Sequence, residues 1–110
     1  LAQLEQLENF IKIKRDIADS YSRFFNASEI EFFNEPVHAR SNYWLNSILL
    51  KDEEERDSFL KYCKERDVMT RPAWELMNRL VMFSDAQTGT LTNAEWISNR
   101  LVNIPSSVIK

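Results

Sequence analysis

The stretch Tyr43-Trp44-Leu45-Asn46-Ser47-Ile48-Leu49-Leu50 decides the fold of this chain. Apolar residues occupy both of its alternating faces, which is typical of a strand covered on two sides. We therefore predict a central β-strand here. Three shorter segments with strand-like composition complete the predicted sheet: Ile30–Phe33, Val68–Arg71 and Val102–Ile104.

The residues before this strand predict a long amphipathic helix over positions 1–25. Its apolar stripe includes residues spaced seven apart, and most charged residues lie off the stripe. The stripe is too wide for the seam of a two-stranded coiled coil, so we expect the helix to pack on its own domain. The seven-residue series is Leu4, Ile11, Ala18 and Phe25.

The residues after the central strand predict three more helices. Asp52 with Glu55 forms a capping-box pattern, and Thr92 with Glu95 forms a second one. Pro72 is expected to end the third strand and to begin a short helix that runs to Leu80. The order of elements predicts an α+β fold: a small antiparallel or mixed sheet, led by a long N-terminal amphipathic helix, with helices packed mainly on one face.

Composition limits the possible classes of protein. The chain has 110 residues, enough for one domain, and a net charge of −3 with both signs well mixed, which argues against a nucleic-acid binder. Its single cysteine, Cys63, cannot form an internal disulfide and fits a reducing, cytoplasmic setting. No apolar run is long enough to cross a membrane. Because it starts at Leu1 in helical pattern, we expect it to be part of a longer protein.

The usual catalytic sets are missing from the sequence. His38 has no second metal ligand at a suitable spacing, and Cys63 has only this histidine as a possible base. The acidic run 53–55 is typical of a first helical turn. These observations argue against an independent hydrolase or a metal enzyme.

Arg71, with Trp74 three residues later, marks the strongest candidate site. A guanidinium at a corner between strand and helix suits an anionic ligand. The alternative is an arginine paired with a nearby carboxylate and a tryptophan in the core, and spacing alone favours that alternative. Two further polar segments remain open: Arg40–Trp44, and Asn103–Ser107, which is expected to end a strand with exposed hydroxyls.

Four segments stand in the same order as motifs of one known family: Ser41–Asn46, Val68–Trp74, Thr92–Trp96 and Asn99–Ser107. They resemble the C-terminal part of the DegT/DnrJ-type sugar aminotransferases, which show a Gly-Ile-x-Thr-Arg-x-x-Tyr/Trp corner, an Ala-Glu helix and Arg-x-Leu-x-Leu-Pro. Thr70-Arg71-Pro72 and the final Asn-Ile-Pro-Ser-Ser are most similar to a branch that makes legionaminic-acid-like or related surface sugars. Asp67 replaces a usual glycine, and Met77 replaces a histidine found in many members.

The resemblance implies a dimeric enzyme that uses pyridoxal phosphate (PLP) to move an amino group from glutamate to a nucleotide-linked keto-sugar. It places two catalytic residues upstream of this chain: the Schiff-base lysine and the acid that pairs with the pyridine nitrogen. This chain alone would then hold no cofactor and be inactive. The six lysines here are at positions expected to be solvated: Lys12, Lys14, Lys51, Lys61, Lys64 and Lys110.

On this resemblance, the chain closes one side of the active site against its own large domain. Arg71 is expected to bind a substrate anion and Trp74 to stack on a sugar or a base. Asn42 and Tyr43 are weaker candidates at the edge of the same surface, and we expect all four to lie on one side of the sheet. The competing interpretation is a non-enzymatic interaction module that docks a partner through an exposed apolar face.

Overall fold

A computed structural model describes residues 4–108 of the chain. A 3-10 turn at Leu4–Gln6 leads into α1 (Leu7–Phe25). The later elements are β1 (Glu31–Phe32), β2 (Asn46–Leu49), α2 (Glu53–Lys64), β3 (Arg71–Pro72), α3 (Thr92–Ser98) and β4 (Leu101–Ile104). The predicted α+β class is confirmed. None of the described helices is long and apolar enough to cross a membrane.

The four strands form one sheet in the order β1-β2-β4-β3, and every neighbouring pair is antiparallel. β2 and β4 therefore occupy the centre, as predicted for the long apolar stretch. Their register pairs Ile48 with Val102, and neither residue has any exposed surface. Alternation along the strands places Phe32, Ile48 and Val102 on one face of the sheet.

The helices cover this apolar face. Ala18 and Phe25 of α1 join the buried cluster around Ile48, and Phe59 and Leu60 of α2 pack against it. Arg71 and Asn103 are register partners on the opposite face, where Asn103 Oδ1 accepts a hydrogen bond of 2.7 Å from Ser47 Oγ. The face opposite the apolar one thus carries polar groups.

The predicted cap of α2 is present. Asp52 Oδ1 accepts from the Glu55 amide at 2.9 Å, which satisfies a free donor of the first turn. Glu55 Oε2 accepts from the Lys51 amide at 2.7 Å, one residue before the partner expected in a capping box. After the helix, Asp67 has a φ of 56°, in the left-handed region. This conformation explains why the resembling family prefers glycine there, and aspartate is among the residues that tolerate it.

Two expectations about the region after α2 were wrong. The third strand is Arg71–Pro72 rather than Val68–Arg71, so Pro72 is its last residue, paired with Val102, instead of the first residue after it. The Ala73 amide donates to Leu101 O at 3.3 Å, so the neighbouring pair at Pro72 is not a hydrogen-bonded pair and proline's missing N–H breaks no bond of the ladder. The helix expected to Leu80 is replaced by two 3-10 turns, Met77–Arg79 and Val81–Phe83.

Two smaller differences concern element boundaries. The central strand covers Asn46–Leu49, half of the predicted length, because Tyr43 has a φ of 46° and cannot continue an extended chain. α3 has Leu91 as its N-cap with no side-chain bond, so Thr92 does not cap it as predicted. Both corrections move a predicted element by only a few residues and leave the sheet order unaffected.

Candidate functional site

A groove of about 350 Å³ opens where β2 begins and β4 ends. Lys14 and Arg71 line it together with Trp44 and the turn Ser106–Ser107. No aspartate or glutamate is among the residues that line it. In a chain with a net charge of −3, two cations with no acid between them form a local positive field. The groove is therefore suited to an anion.

Lys14 joins three parts of the chain at this groove. Its ammonium donates to Ser106 O at 2.7 Å and lies 3.4 Å from Trp44 O, which links α1 to the segment before β2 and to the turn after β4. The expectation that Lys14 is solvated was therefore wrong. The carbonyl oxygens orient the ammonium but do not neutralise its charge, and one of its three N–H donors remains for a ligand.

Arg71 is exposed at the start of β3 and lines the same groove. Within residues 4–108 its guanidinium has no carboxylate partner, so the described chain does not show the alternative of a structural ion pair. Trp74 is 82% exposed and does not fill the core. It lies two residues beyond β3 and is not among the residues that line this groove.

Asn42 and Tyr43 lie in the segment that leads into β2. Asn42 is exposed, and its Oδ1 accepts from the Trp44 amide at 3.0 Å, which forms a tight local turn. Tyr43 is only 7% exposed, and its hydroxyl accepts from the Glu35 amide at 3.0 Å. The phenol ring therefore lies inside the domain. A bulky residue at positive φ is strained, and the surrounding contacts hold it there.

An ion pair between Arg15 and Glu35 fixes this segment to α1. Two hydrogen bonds of 2.6 and 2.9 Å join the guanidinium to the carboxylate, and Arg15 Nη1 also donates to Ser41 O at 2.7 Å. The Ser41 amide donates to Glu35 Oε2 at 2.7 Å. The Arg15 guanidinium lies 5.7 Å from the centre of the Tyr43 ring. We call this set of contacts the Arg15–Glu35 clamp.

The clamp predicts an abnormal titration of Glu35. Hydrogen bonds from Arg15, and then from the Ser41 amide, lower the pKa of the Glu35 carboxyl from 4.5 to about 2. Because the folded pKa is lowered, the stabilisation is complete above about pH 4.5, the value expected for the unfolded chain, and is lost as the pH falls towards 2. Carboxyl NMR should show Glu35 titrating near pH 2 in the intact chain and at a clearly higher pH in Arg15→Met, where the Ser41 amide bond alone remains of the two hydrogen bonds.

The control for this titration is Arg23→Met, since Arg23 is an exposed arginine on the same helix. It removes the same charge from the chain without touching the clamp, so the Glu35 titration should stay where it is. An intact chain in which Glu35 titrates at its ordinary value would contradict the clamp.

Ser106 is a structural residue that sequence reasoning missed. Its hydroxyl accepts from the backbone N–H and the side-chain Nδ2 of Asn46 at 2.7 and 3.1 Å, and it donates to Ile104 O at 2.8 Å. The expectation of exposed hydroxyls after β4 was therefore wrong for Ser106 and right for Ser107, which is exposed. Ser106 closes the end of β4 against β2 and so shapes the groove.

Lys14 was also missed as a groove residue, and Trp44 was named only as part of the polar segment Arg40–Trp44. Lys14 carried a usable signal, because it lies four residues after Phe10 and four before Ala18, on the apolar stripe of α1. A lysine on an apolar stripe needs a partner for its ammonium. Trp44 carried no such signal, because the turn at Tyr43 decides which way the following residue faces.

The described residues do not fit the PLP anchor that the resemblance implies for the whole enzyme. A Schiff-base lysine needs a free amine in a closed pocket with an acid for the pyridine nitrogen. Four of the described lysines, Lys12, Lys51, Lys61 and Lys64, are exposed, and Lys14 is engaged by carbonyl oxygens; Lys110 lies outside the described residues. Nor do residues 4–108 contain a cluster of side chains able to hold a metal ion.

Comparison with known proteins identifies relatives over almost the whole chain. Two GDP-perosamine synthases, from Escherichia coli O157:H7 and Vibrio cholerae, are 34% and 35% identical to it, and each alignment covers 96% of this chain. The chain spans 29% and 30% of the length of these relatives. The fold also matches that of a proposed sugar aminotransferase of Streptococcus pneumoniae in its PLP form, with a TM-score of 0.85, 18% identity, and coverage of 96% of this chain and 28% of that one.

The profile of one family matches residues 1–108, which is nearly the entire chain. This match agrees with the four segments of similar sequence and with the α+β fold. The chain belongs to the DegT/DnrJ/EryC1/StrS aminotransferase family.

Proposed function

We propose that this chain is the C-terminal domain, residues 1–110, of an aminotransferase that transfers an amino group from glutamate to a nucleotide-linked keto-sugar. The family match supports the reaction class, and the relatives named for GDP-perosamine support a sugar carried on a nucleotide. Their names favour a GDP-linked sugar over the legionaminic-acid branch. The product would serve the synthesis of surface polysaccharides or nonulosonic acids in the cytoplasm.

The rest of the full-length enzyme would bind PLP, whose ring stores electrons while the amino group moves. This assignment rests on the family and on the PLP form of the S. pneumoniae protein, since the described residues supply no anchor. The domain would lie against its own large domain in a homodimer and would be inactive alone. Its own residues would bind and orient the substrate.

The single observation that carries the role of this domain is the exposed Arg71, which has no carboxylate partner within residues 4–108 and lines a groove with no acid among its lining residues. It would bind an anionic group of the substrate, either a phosphate oxygen or the glutamate carboxylate. Trp74, which is exposed two residues after β3, would stack on a sugar face. Asn42, which is exposed in the segment that leads into β2, would also contact the substrate. Tyr43 would not contact the substrate directly. Its buried ring would hold in place the segment that carries Asn42.

Replacement of Arg71 tests this role in the full-length, PLP-loaded enzyme. Arg71→Ala should lower kcat/KM for a GDP-linked keto-sugar and glutamate by about tenfold to a hundredfold, because a charge-assisted hydrogen bond contributes roughly 1.5–3 kcal/mol. The formation of 2-oxoglutarate, released as the ketone becomes an amine, measures the rate. Varying each substrate separately shows which anion Arg71 binds.

The matched control is Arg23→Ala, an exposed arginine on α1 that is not among the residues lining the groove. Its kcat/KM should stay within about twofold of the parent enzyme. If the two variants behave alike, Arg71 has no role in binding substrate. If the full-length protein forms no 2-oxoglutarate with any nucleotide-linked keto-sugar, the proposed reaction is wrong.

The alternative of a non-enzymatic interaction module rests on one surface feature. The segment after β3 exposes five large apolar side chains: Trp74, Met77, Val81, Met82 and Phe83. In the proposed enzyme the part of this segment beyond Trp74 would lie against the large domain, whereas in a module the whole segment would dock a separate protein. The family match over residues 1–108 favours the enzyme. A full-length protein that lacks a PLP-binding half would favour the module.

A further inference from the structure

We propose that the groove binds the diphosphate of a nucleotide, with Lys14 and Arg71 as its two cations and Trp44 as the surface on which the base stacks. This inference rests on the proposed function for the identity of the ligand and goes beyond it in two respects. It assigns a binding role to two residues, Lys14 and Trp44, and it commits Arg71 to phosphate rather than to the glutamate carboxylate.

The residues that line the groove include two cations and no acid. The chain carries more acidic than basic residues, 17 against 14, yet no acid lines this groove. The salt bridges of the described chain involve three arginines, Arg15, Arg56 and Arg79, and neither Lys14 nor Arg71 takes part in one. Lys14 and Arg71 thus remain available to a ligand with more than one negative charge.

The position of Lys14 is fixed before any ligand arrives. Carbonyl oxygens from two distant segments, Trp44 and Ser106, orient its ammonium, and α1 restricts its stem. A lysine that is already held in place loses little side-chain entropy on binding, so more of the electrostatic attraction is available as affinity. An exposed lysine such as Lys12 would first have to be ordered.

Trp44 supplies the flat surface that a base requires. It is 65% exposed and borders the groove, while its own amide and carbonyl are tied to Asn42 and Lys14. An exposed indole beside two cations suits an aromatic ring attached to phosphate groups, because stacking on an aromatic side chain contributes about 1–3 kcal/mol per base in nucleic-acid binding. The backbone of Trp44 is held by the same segment that the Arg15–Glu35 clamp fixes.

Calorimetric titration of the 110-residue chain with inorganic pyrophosphate and with GDP separates the two parts of the proposal. The parent chain should bind both, and GDP more tightly because the base adds its stacking. Lys14→Gln keeps a hydrogen-bond donor but loses the charge, and it should weaken the binding of both ligands by about tenfold. Trp44→Ala should weaken the binding of GDP and leave the binding of pyrophosphate unchanged.

Two variants serve as matched controls. Lys12→Gln removes the same charge from the same helix outside the groove, and Trp96→Ala removes another half-exposed indole, which stacks under Arg100. Both should bind as the parent does. The proposal is overturned if Lys12→Gln weakens pyrophosphate binding as much as Lys14→Gln, or if the parent chain binds neither ligand at millimolar concentration.

The same titration keeps this proposal separable from the proposed reaction. Binding that depends on Lys14 and Trp44, in a protein whose full-length form aminates no sugar, would support the nucleotide site and reject only the reaction. A full-length enzyme that aminates a GDP-linked sugar with an unchanged KM in Lys14→Gln would reject the nucleotide site and keep the reaction.

Discussion

Truncating Ile48 to alanine should lower the free energy of unfolding by about 2–5 kcal/mol, the range for large-to-small changes in a packed core. Ile48 has no exposed surface and lies in the central strand between Phe32 and Val102. α1 contributes residues to the buried cluster that contains Ile48, and α2 packs against that cluster, so removal of the Ile48 side chain leaves a cavity that the surrounding core cannot close completely.

Urea denaturation of the chain, followed by circular dichroism, measures this loss. Ile48→Val should cost about 0.5–1.5 kcal/mol, because it removes a single methyl group. Val37→Ala is the matched control: Val37 is 95% exposed, and its truncation should change stability by less than about 0.5 kcal/mol. Equal losses in Ile48→Ala and Val37→Ala would mean that the core is not centred on β2.

Ser106→Ala should destabilise the chain by about 2–6 kcal/mol, because it leaves two buried donors of Asn46 without a partner at roughly 1–3 kcal/mol each. Asn46 is 1% exposed, and its Oδ1 already has no partner among the described residues. The Ser106 hydroxyl is the group that both Asn46 donors reach. The variant therefore loses three hydrogen bonds: the two from Asn46 and the one that the Ser106 hydroxyl donates to Ile104 O.

The neighbouring Ser107 provides the control, because it is the same residue type and is exposed. Ser107→Ala should leave the free energy of unfolding within about 0.5 kcal/mol of the parent. In the double variant Asn46→Ala, Ser106→Ala, the loss should be smaller than the sum of the two single losses, since both single variants remove the bond from Asn46 Nδ2 to Ser106 Oγ. Additive losses would show that the two side chains do not interact.

The segment Arg40–Trp44 shows how much of the candidate site could be predicted from the sequence. The segment Arg40–Trp44 was singled out for its polar and aromatic residues, and it does border the groove through Trp44. Nothing in its spacing indicated that Tyr43 turns inward. That direction depends on a positive φ and on Glu35 and Arg15, whose positions relative to Tyr43 are set by the packing of α1.

The outcome at Pro72 has a similar cause. Local chemistry correctly marked proline as unfit for the hydrogen-bonded interior of a sheet, and from that we predicted the end of a strand. Whether a strand is central or at an edge depends on the order β1-β2-β4-β3, which no local pattern contains. At the edge, with its nitrogen in a non-hydrogen-bonded pair, Pro72 fits.

The sequence by itself determined the α+β class, the cap of α2, the central position of β2 and the family. These depend on residues a few positions apart, where helical period, strand alternation and capping act directly. Only the tertiary structure decided that Lys14 reaches Ser106, 92 residues away, and that Ser106 holds Asn46, 60 residues away. Such contacts form because packing of α1 and the β2–β4 pair bring distant segments together, and the groove exists only once they have met.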